Sequence, residues 1–597
     1  MARLGWLRRL GSRAATALLL STLVVASTLV VASPAAAAEG TRFRSAVSGD
    51  GGVVASVSPL AAAAGLEILD AGGNAIDAAA ATIFAVGVVR PELCGIGGGG
   101  FLLYRGADGT AAALDFREES PAAHEHSGGV PEGGRYQSDT GHNRVGVPGV
   151  VAGIAAALKR FGTMKLSDVI GPAEDLARNG FPVSPDLSLG ISNHADRMKL
   201  FPETAETFLV GGSRPYLPGE ILVLSDYADS LALIAQGGPR AFYRGSIAAA
   251  IAADMEASGT YEGDRGFMAL ADLHAYKAVW RAPLIGTYRG HDVITMPPPT
   301  SGGVATLEML NLLEGYDLAG MGHSSADHLH YVTETQKMAF ADREAYLGDP
   351  DHVSIPVEML TSKTYAAQRR AEITSEAKDS YPAGGEAEDP SAPVAAVPGQ
   401  TTHVSVIDAA GNAVSVTCSV EVEFGSAVIA PGTGFVLNSQ LDDFGAEGTP
   451  NAPAGNKRPR SSMSPTIVVH DDRPLLVTGA AGGSLIIAGV VQAIINVVDF
   501  DLDIAHALDA ERVEASCPPA LCVEWPRLAP TELIELADRG HPVNFAYCAF
   551  DLQWAGPSDC DEEYHPWPQL QAAGITDEGR VEAVSDPRGE WGSAAQN

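Results

Sequence analysis

The stretch Thr401-Thr402-His403-Val404-Ser405-Val406-Ile407-Asp408-Ala409-Ala410-Gly411-Asn412-Ala413-Val414-Ser415-Val416-Thr417-Cys418-Ser419-Val420-Glu421-Val422-Glu423 reads as two strands and a turn. Val404 and Val406 alternate with polar neighbours up to Asp408. After Asn412 the alternation is strict, with Val414, Val416, Cys418, Val420 and Val422 on one face and Ser415, Thr417, Ser419, Glu421 and Glu423 on the other. A period of two marks a strand. Ala409-Ala410-Gly411 suits a three-residue hairpin loop with glycine in the left-handed position, so the pairing centres on Ala410. Thr401 then falls opposite Ser419, and partners across a ladder have Cβ atoms ~5 Å apart, near enough for two hydroxyls to meet. A one-residue bulge would shift this register.

What precedes Thr401 sharpens its meaning. From Ala371 to Gln400 the chain is Glu, Asp, Ser, Ala, Pro and Gly without apolar periodicity, the composition of an exposed mobile segment. If the bond before Thr401 were cut, the new α-amino group, with an ordinary pKa of ~7.7–8.0, could act as base for its own Oγ. A threonine at a strand start, behind a mobile segment and opposite a second hydroxyl, therefore points to an N-terminal nucleophile.

Outward from the hairpin, helices and strands alternate. Ser58-Pro59 starts an Ala/Leu-rich helix stopped by Gly72-Gly73, and Asn74 caps a second helix to about Val88. Helical stretches follow at Ser225 to Ile234, Ser246 to Met255 and Ser325 to Tyr346, and Pro474 to Val498 reads as buried strand and helix. Gly95-Ile96-Gly97-Gly98-Gly99-Gly100 matches a dinucleotide fingerprint literally. Phe101-Leu102-Leu103-Tyr104 reads as a strand where that motif needs a helix, so the nucleotide reading is rejected. The architecture is mixed α and β.

Composition bounds the function. Of 597 residues 46% are hydrophobic, enough for a large core, and 39 basic against 73 acidic side chains give −34. That charge repels phosphate backbones and anionic lipid, which excludes nucleic acid as a partner. Arg3, Arg8, Arg9 and Arg13 precede an uncharged stretch from Ala14 to Ala32, then Pro34 and Ala36-Ala37-Ala38, the pattern of a cleavable secretory leader over residues 1–38. Its removal makes the chain four charges more acidic. The reading is a secreted protein with no stable membrane anchor. Export permits disulfides. Cys517, Cys522, Cys548 and Cys560 crowd into one region, and local pairing of Cys517 with Cys522 and Cys548 with Cys560 is preferred among three connectivities, whereas Cys94 and Cys418 stand alone. His124-Glu125-His126 lacks ligand spacing and a third partner. No metal and no cofactor is expected.

Several blocks together resemble the γ-glutamyltransferase (glutathione hydrolase) family: Thr401-Thr402-His403 with Asp408 and Gly411 to Thr417, Phe424-Gly425, Leu441-Asp442-Asp443-Phe444, Lys457-Arg458-Pro459 with Ser461 to Thr466, and Gly482-Gly483-Ser484. Pro297-Pro298-Pro299 with Gly302-Gly303, Phe340-Ala341-Asp342-Arg343 with Gly348-Asp349-Pro350, and Ser585-Asp586-Pro587-Arg588 complete the likeness in family order. The resemblance implies an α+β fold, the four-layer αββα sandwich of N-terminal nucleophile hydrolases. It also implies a precursor that cuts itself between Gln400 and Thr401 into a large subunit (39–400) and a small one (401–597) that stay together as a heterodimer. Thr401 would be the nucleophile, and Ser419 its partner hydroxyl. Gly482 and Gly483 would supply oxyanion-hole N–H groups at the start of a buried helix from Leu485 to Val498. Arg117 would grip the substrate α-carboxylate with Ser461 and Ser462, and Gln440 and Asp443 would hold the α-ammonium.

Two departures stand out. Glu421 replaces an Asn common two residues beyond the partner hydroxyl; its carboxylate can still hold an ammonium. Gly445 to Asn456 is shorter than in members with a lid, which implies an open pocket. The implied activity is transfer of a γ-glutamyl group from glutathione and similar compounds, through an ester on Thr401, to water or to an amino-acid or peptide acceptor. A β-lactam side-chain acylase and an inactive peptide-binding relative are the alternatives.

Overall fold

The structure, a computed structural model, describes residues 43–124, 139–259, 264–385, 400–515, 521–524, 527–544, 567–589 and 592–596. The leader, Glu125, His126, Cys517, Cys548 and Cys560 lie outside these residues. Numbered in chain order, the strands of the two large sheets are β1 (Val47–Gly49), β2 (Val53–Ser56), β3 (Gly99–Arg105), β4 (Ala111–Phe116), β5 (Val279–Arg281), β6 (Leu284–Tyr288), β7 (His291–Thr295), β8 (Gln400–Ile407), β9 (Ala413–Glu421), β10 (Thr466–His470), β11 (Arg473–Ala481), β12 (Gln569–Ile575), β13 (Val581–Ser585) and β14 (Gly592–Ala595). One sheet runs β14-β2-β8-β9-β3-β4-β5 and the other β1-β13-β12-β11-β10-β7-β6, each seven-stranded. Neighbouring strands in both are antiparallel.

Three separate cores make this a four-layer sandwich. Val404, Val406, Val414, Val416 and Cys418 of the β8–β9 hairpin pack outward against the helices Pro59–Asp70 and Ala75–Val89 and their neighbours. Leu476, Leu570 and Val584 of the second sheet pack outward against the helices Gly302–Leu313, Ala326–Tyr346 and Leu485–Val498. Between the sheets lie Phe101, Leu103 and Ile407 from one side and Ile467, Val477 and Ala573 from the other. The expected αββα order is the observed one.

The hairpin occupies the middle of its sheet, so both its faces are buried. Its polar side chains face the second sheet rather than water: Ser405 Oγ donates to Gln571 O at 3.1 Å and Ser415 Oγ to Thr478 O at 2.9 Å. His403 lies 2.8 Å from Thr417 Oγ1 and 3.1 Å from Ser405 Oγ. Opposite it stands Gly479, where a Cβ would come within 2.4 Å of the imidazole. Only glycine lets the sheets close over that ring.

The register is the expected one from Thr401↔Ser419 to Ile407↔Ala413, with Gly411 at φ +85° in the turn. The ladder shifts between Gln400 and Thr401, at the bond the sequence marks for cutting. The alternation stops earlier than expected. β9 ends at Glu421, whose φ is +86°, and Glu423 leaves the strand to meet His194 Nε2 at 2.7 Å.

One other expectation is corrected. Cys94 and Cys418 are not solitary: they form a disulfide across 324 residues, both fully buried. The main chains are brought together by Val420 N donating to Leu93 O at 3.2 Å. Cys522 is also disulfide-bonded. The first part of the acidic stretch makes tertiary contacts. Tyr381 is buried and donates to Glu334 at 2.6 Å, and Ile373 joins the same small core, so residues 371–385 pack on the helix Ala326–Tyr346. One aromatic and one aliphatic anchor suffice where no periodic pattern exists.

Candidate active site

Thr401 begins the part of β8 that lies beyond the register shift and is 4% exposed; Ser419 is 1% exposed. Thr401 Oγ1 donates to Ser419 Oγ at 3.3 Å, and Ser419 Oγ donates in turn to the carbonyl oxygen of Gln400 at 2.7 Å. Glu421 N donates to Ser419 Oγ at 2.8 Å, completing the serine's valence. A hydroxyl chain thus runs from the candidate nucleophile to the carbonyl of the peptide bond just before it. Polarising that carbonyl is what an attack on it requires.

A second cluster gathers groups from distant segments. Arg117, just beyond β4, is 1% exposed and donates through Nη2 to Asp443 and through Nε to Pro459 O at 3.2 Å. Gln440 and Asp443 lie on one 3-10 turn, Gln440–Asp443. Gln440 Nε2 donates at 2.7 Å to both Glu421 Oε2 and Asp443 Oδ2, which leaves its buried Oε1 without a partner. Burial and the neighbouring charge of Asp443 push the Glu421 carboxyl well above the usual carboxylate range, against the pull of Arg117. An incoming ammonium would find Glu421, Asp443 and Gln440 Oε1 as acceptors.

Ser461 and Ser462 sit where the strand-like run before β10 bridges to Thr300, with Ser301 N donating to Ser461 O at 2.8 Å. Gly445 to Asn456 folds back tightly, Gly445 N donating to Asn451 O at 2.8 Å. Gly482 and Gly483, with φ of +134° and +59°, form the turn between β11 and the helix Leu485–Val498. They follow Gly479, the residue beneath His403, on the same strand run.

Two residues take positions that the sequence reading leaves without a role. Glu118 is fully buried 3.6 Å from Arg117, and burial pushes it up to about 7. Arg343 donates to Ser462 Oγ at 3.0 Å. Arg343 stands inside a stretch quoted above and Glu118 follows Arg117, but nothing local in the sequence tells which partner each meets.

Among the described residues, His330, Glu334 and His541 bring metal-ligand atoms within 4.8 Å of one another. These atoms already satisfy each other and their surroundings. His330 Nδ1 is 2.9 Å from His541 Nε2, His330 Nε2 is 2.8 Å from Thr374 O, and Lys337 Nζ donates to Glu334 at 2.8 Å. The lysine ammonium holds the place on Glu334 that a cation would take.

Comparison with known proteins fits this geometry. The chain is 41% identical over 482 residues to the glutathione hydrolase proenzyme of Escherichia coli (strain K12), covering 77% of this chain and 80% of that protein. It is 40% identical over 479 residues to the acylase ACY 1 proenzyme of Pseudomonas sp. (strain SE83), covering 78% and 83%. Among solved structures, the cephalosporin acylase from Bacillus halodurans superposes with a TM-score of 0.80 at 29% identity, over 93% of this chain and 97% of that one. The family model for gamma-glutamyltranspeptidase matches residues 61–596, and the chain belongs to that family.

Proposed function

We propose that this protein is an exported, self-processing γ-glutamyl hydrolase and transferase whose nucleophile is Thr401. The observation that carries the reading is the hydroxyl relay Thr401–Ser419–Gln400 O standing beside a cluster with charge for both ends of an amino acid. In maturation Thr401 Oγ attacks the Gln400 carbonyl carbon while Ser419 O–H supports the developing oxyanion. The Thr401 nitrogen leaves, taking up the proton, and water hydrolyses the resulting ester. Cleavage converts that nitrogen into a free α-amine, which then serves as the base for Oγ during turnover.

In turnover Arg117, Ser461 and Ser462 take the α-carboxylate, and Glu421, Gln440 and Asp443 take the α-ammonium. Gly482 and Gly483 supply N–H groups to the oxyanion as Oγ adds to the γ-carbonyl. The acyl group passes from Thr401 to water or to an amino-acid or peptide amine. The compact turn at Gly445 to Asn456 leaves the pocket open. Residues 39–400 and 401–597 form the heterodimer, and the leader directs export; among the described residues no helix is long and apolar enough to cross a membrane.

An acylase reading has support from the similar acylases. Their likeness runs along most of the chain; the acid set at Glu421 and Asp443 favours an acyl group that carries an ammonium. The test is a denaturing gel under reducing conditions with N-terminal sequencing, followed by assay on γ-glutamyl p-nitroanilide. Two chains with Thr401 at the new N-terminus, anilide turnover, and a single inert chain for Thr401→Ala are expected. An intact chain with full activity would overturn the reading.

A further inference from the structure

Arg343 closes the helix Ala326–Tyr346 and is 8% exposed. Its Nη2 donates to Ser462 Oγ at 3.0 Å and its Nε to Ser301 Oγ at 2.8 Å. A guanidinium carries donors and no acceptor, so both serine oxygens must accept here. Ser301 passes its own proton to the carbonyl oxygen of Ser461 at 2.6 Å. Ser461 Oγ in turn accepts from Met463 N at 3.1 Å.

The result is a fixed polarity. At Ser461 and at Ser462 a protein donor fills an acceptor site on Oγ, and no acceptor among the described residues takes either hydroxyl proton. Both O–H groups are left to donate. Charge points the same way: Glu344 is shared between Arg343 and Arg460, the latter at 2.7 Å, so one carboxylate faces two guanidiniums. Burial and the repulsion of Arg460 bring Arg343 down to about 10, which leaves it a cation at neutral pH.

We infer that Arg343 is a positioning residue for acyl-donor recognition: it holds Ser462 as a hydrogen-bond donor, so that this end of the pocket requires a carboxylate. An ammonium at the same place would bring protons to meet protons, and an amide would have only its carbonyl oxygen to accept. The inference rests on the reading of Arg117, Ser461 and Ser462 as the carboxylate grip.

The experiment compares three p-nitroanilides on wild type, Arg343→Gln and Arg343→Lys. The γ-glutamyl anilide carries carboxylate and ammonium, the glutaryl anilide only the carboxylate, and the 4-aminobutyryl anilide only the ammonium. An anilide that is not turned over is measured as a competitive inhibitor instead. Arg343→Gln should raise KM roughly tenfold or more for the two carboxylate-bearing anilides, change kcat less, and leave the 4-aminobutyryl compound unaffected. Arg343→Lys should recover part of the loss, since an ammonium still donates but without the fork. Equal loss on all three compounds, or loss confined to kcat, would overturn the inference. If Arg343→Gln does not accumulate, Ser462→Ala must show the same discrimination, and its absence there overturns the inference equally. A wild type that acts on the glutaryl but not the γ-glutamyl anilide would sink the γ-glutamyl reading while leaving the Arg343 comparison readable on the glutaryl arm.

Discussion

Ser419 donates its hydroxyl proton to the carbonyl oxygen of Gln400 at 2.7 Å, so it touches the peptide bond at which self-cleavage is proposed. Ser419→Ala keeps the strand, because alanine fits the same buried position, but removes this donor and the acceptor for Thr401 Oγ1. Maturation should slow by ~10²-fold or more and kcat fall similarly, with KM less affected. Time courses of chain separation and steady-state assays measure both. Ser419→Thr should be close to wild type. If Ser419→Ala matures and turns over normally, the serine is structural, and Thr417 on the same face becomes the candidate.

Arg117→Lys replaces a fork with a point charge. The guanidinium holds Asp443 and two backbone carbonyls at once, and an ammonium cannot reproduce that geometry. KM for γ-glutamyl p-nitroanilide should rise roughly 10- to 100-fold, in line with about 1.5–3 kcal/mol for a charged hydrogen bond, while self-cleavage stays nearly normal. Unchanged kinetics would assign the carboxylate grip elsewhere.

The Cys94–Cys418 disulfide joins residues on either side of the proposed cleavage point. The mature protein should therefore run as one band on a denaturing gel without reductant and as two with it. Cys94→Ala with Cys418→Ala should give two bands in both lanes, still associate when folded, and lose about 2–5 kcal/mol of stability. Two bands from wild type without reductant would show that the bond does not form.

His142 is held between Asp254 at 3.0 Å and Asp264 at 3.1 Å. Burial opposes its charge, but the two carboxylates prevail and raise it from 6.5 to about 9. Because the folded value is the higher one, the stabilisation is complete below pH 6.5 and is lost as pH climbs through 9. The Tm difference between wild type and His142→Gln should be largest near pH 6 and close toward pH 10. A gap independent of pH would show that the imidazole does not titrate in this window.

The elements legible in the sequence are those with local signals. Strict alternation and a three-residue turn placed Thr401 opposite Ser419, and Asn74 caps its helix with its side chain accepting from Ile76 N and Asp77 N. The assignment of Arg117, Gln440 and Asp443 needed the family resemblance, since their partners lie on separate segments and no spacing joins them. The remainder is decided by tertiary approach. Cys94 and Cys418 meet because β9 runs beside β3, which no cysteine spacing encodes. Arg343 and Ser462 lie 119 residues apart, and the shift at Gln400 depends on the ladder around it. Tyr381 is one aromatic in a polar run and gives no period to read.

The buried disulfide also imposes an order on biogenesis. In the proposed export, a chain emerging from its N-terminus presents Cys94 long before Cys418, and for that interval Cys94 has no correct partner. Closure then waits for β9 to lie beside β3, which places the oxidised bond downstream of the assembly of the central sheet. The oxidation state of this one pair is therefore a stamp of completed folding, readable by thiol labelling on protein that has not yet cut itself.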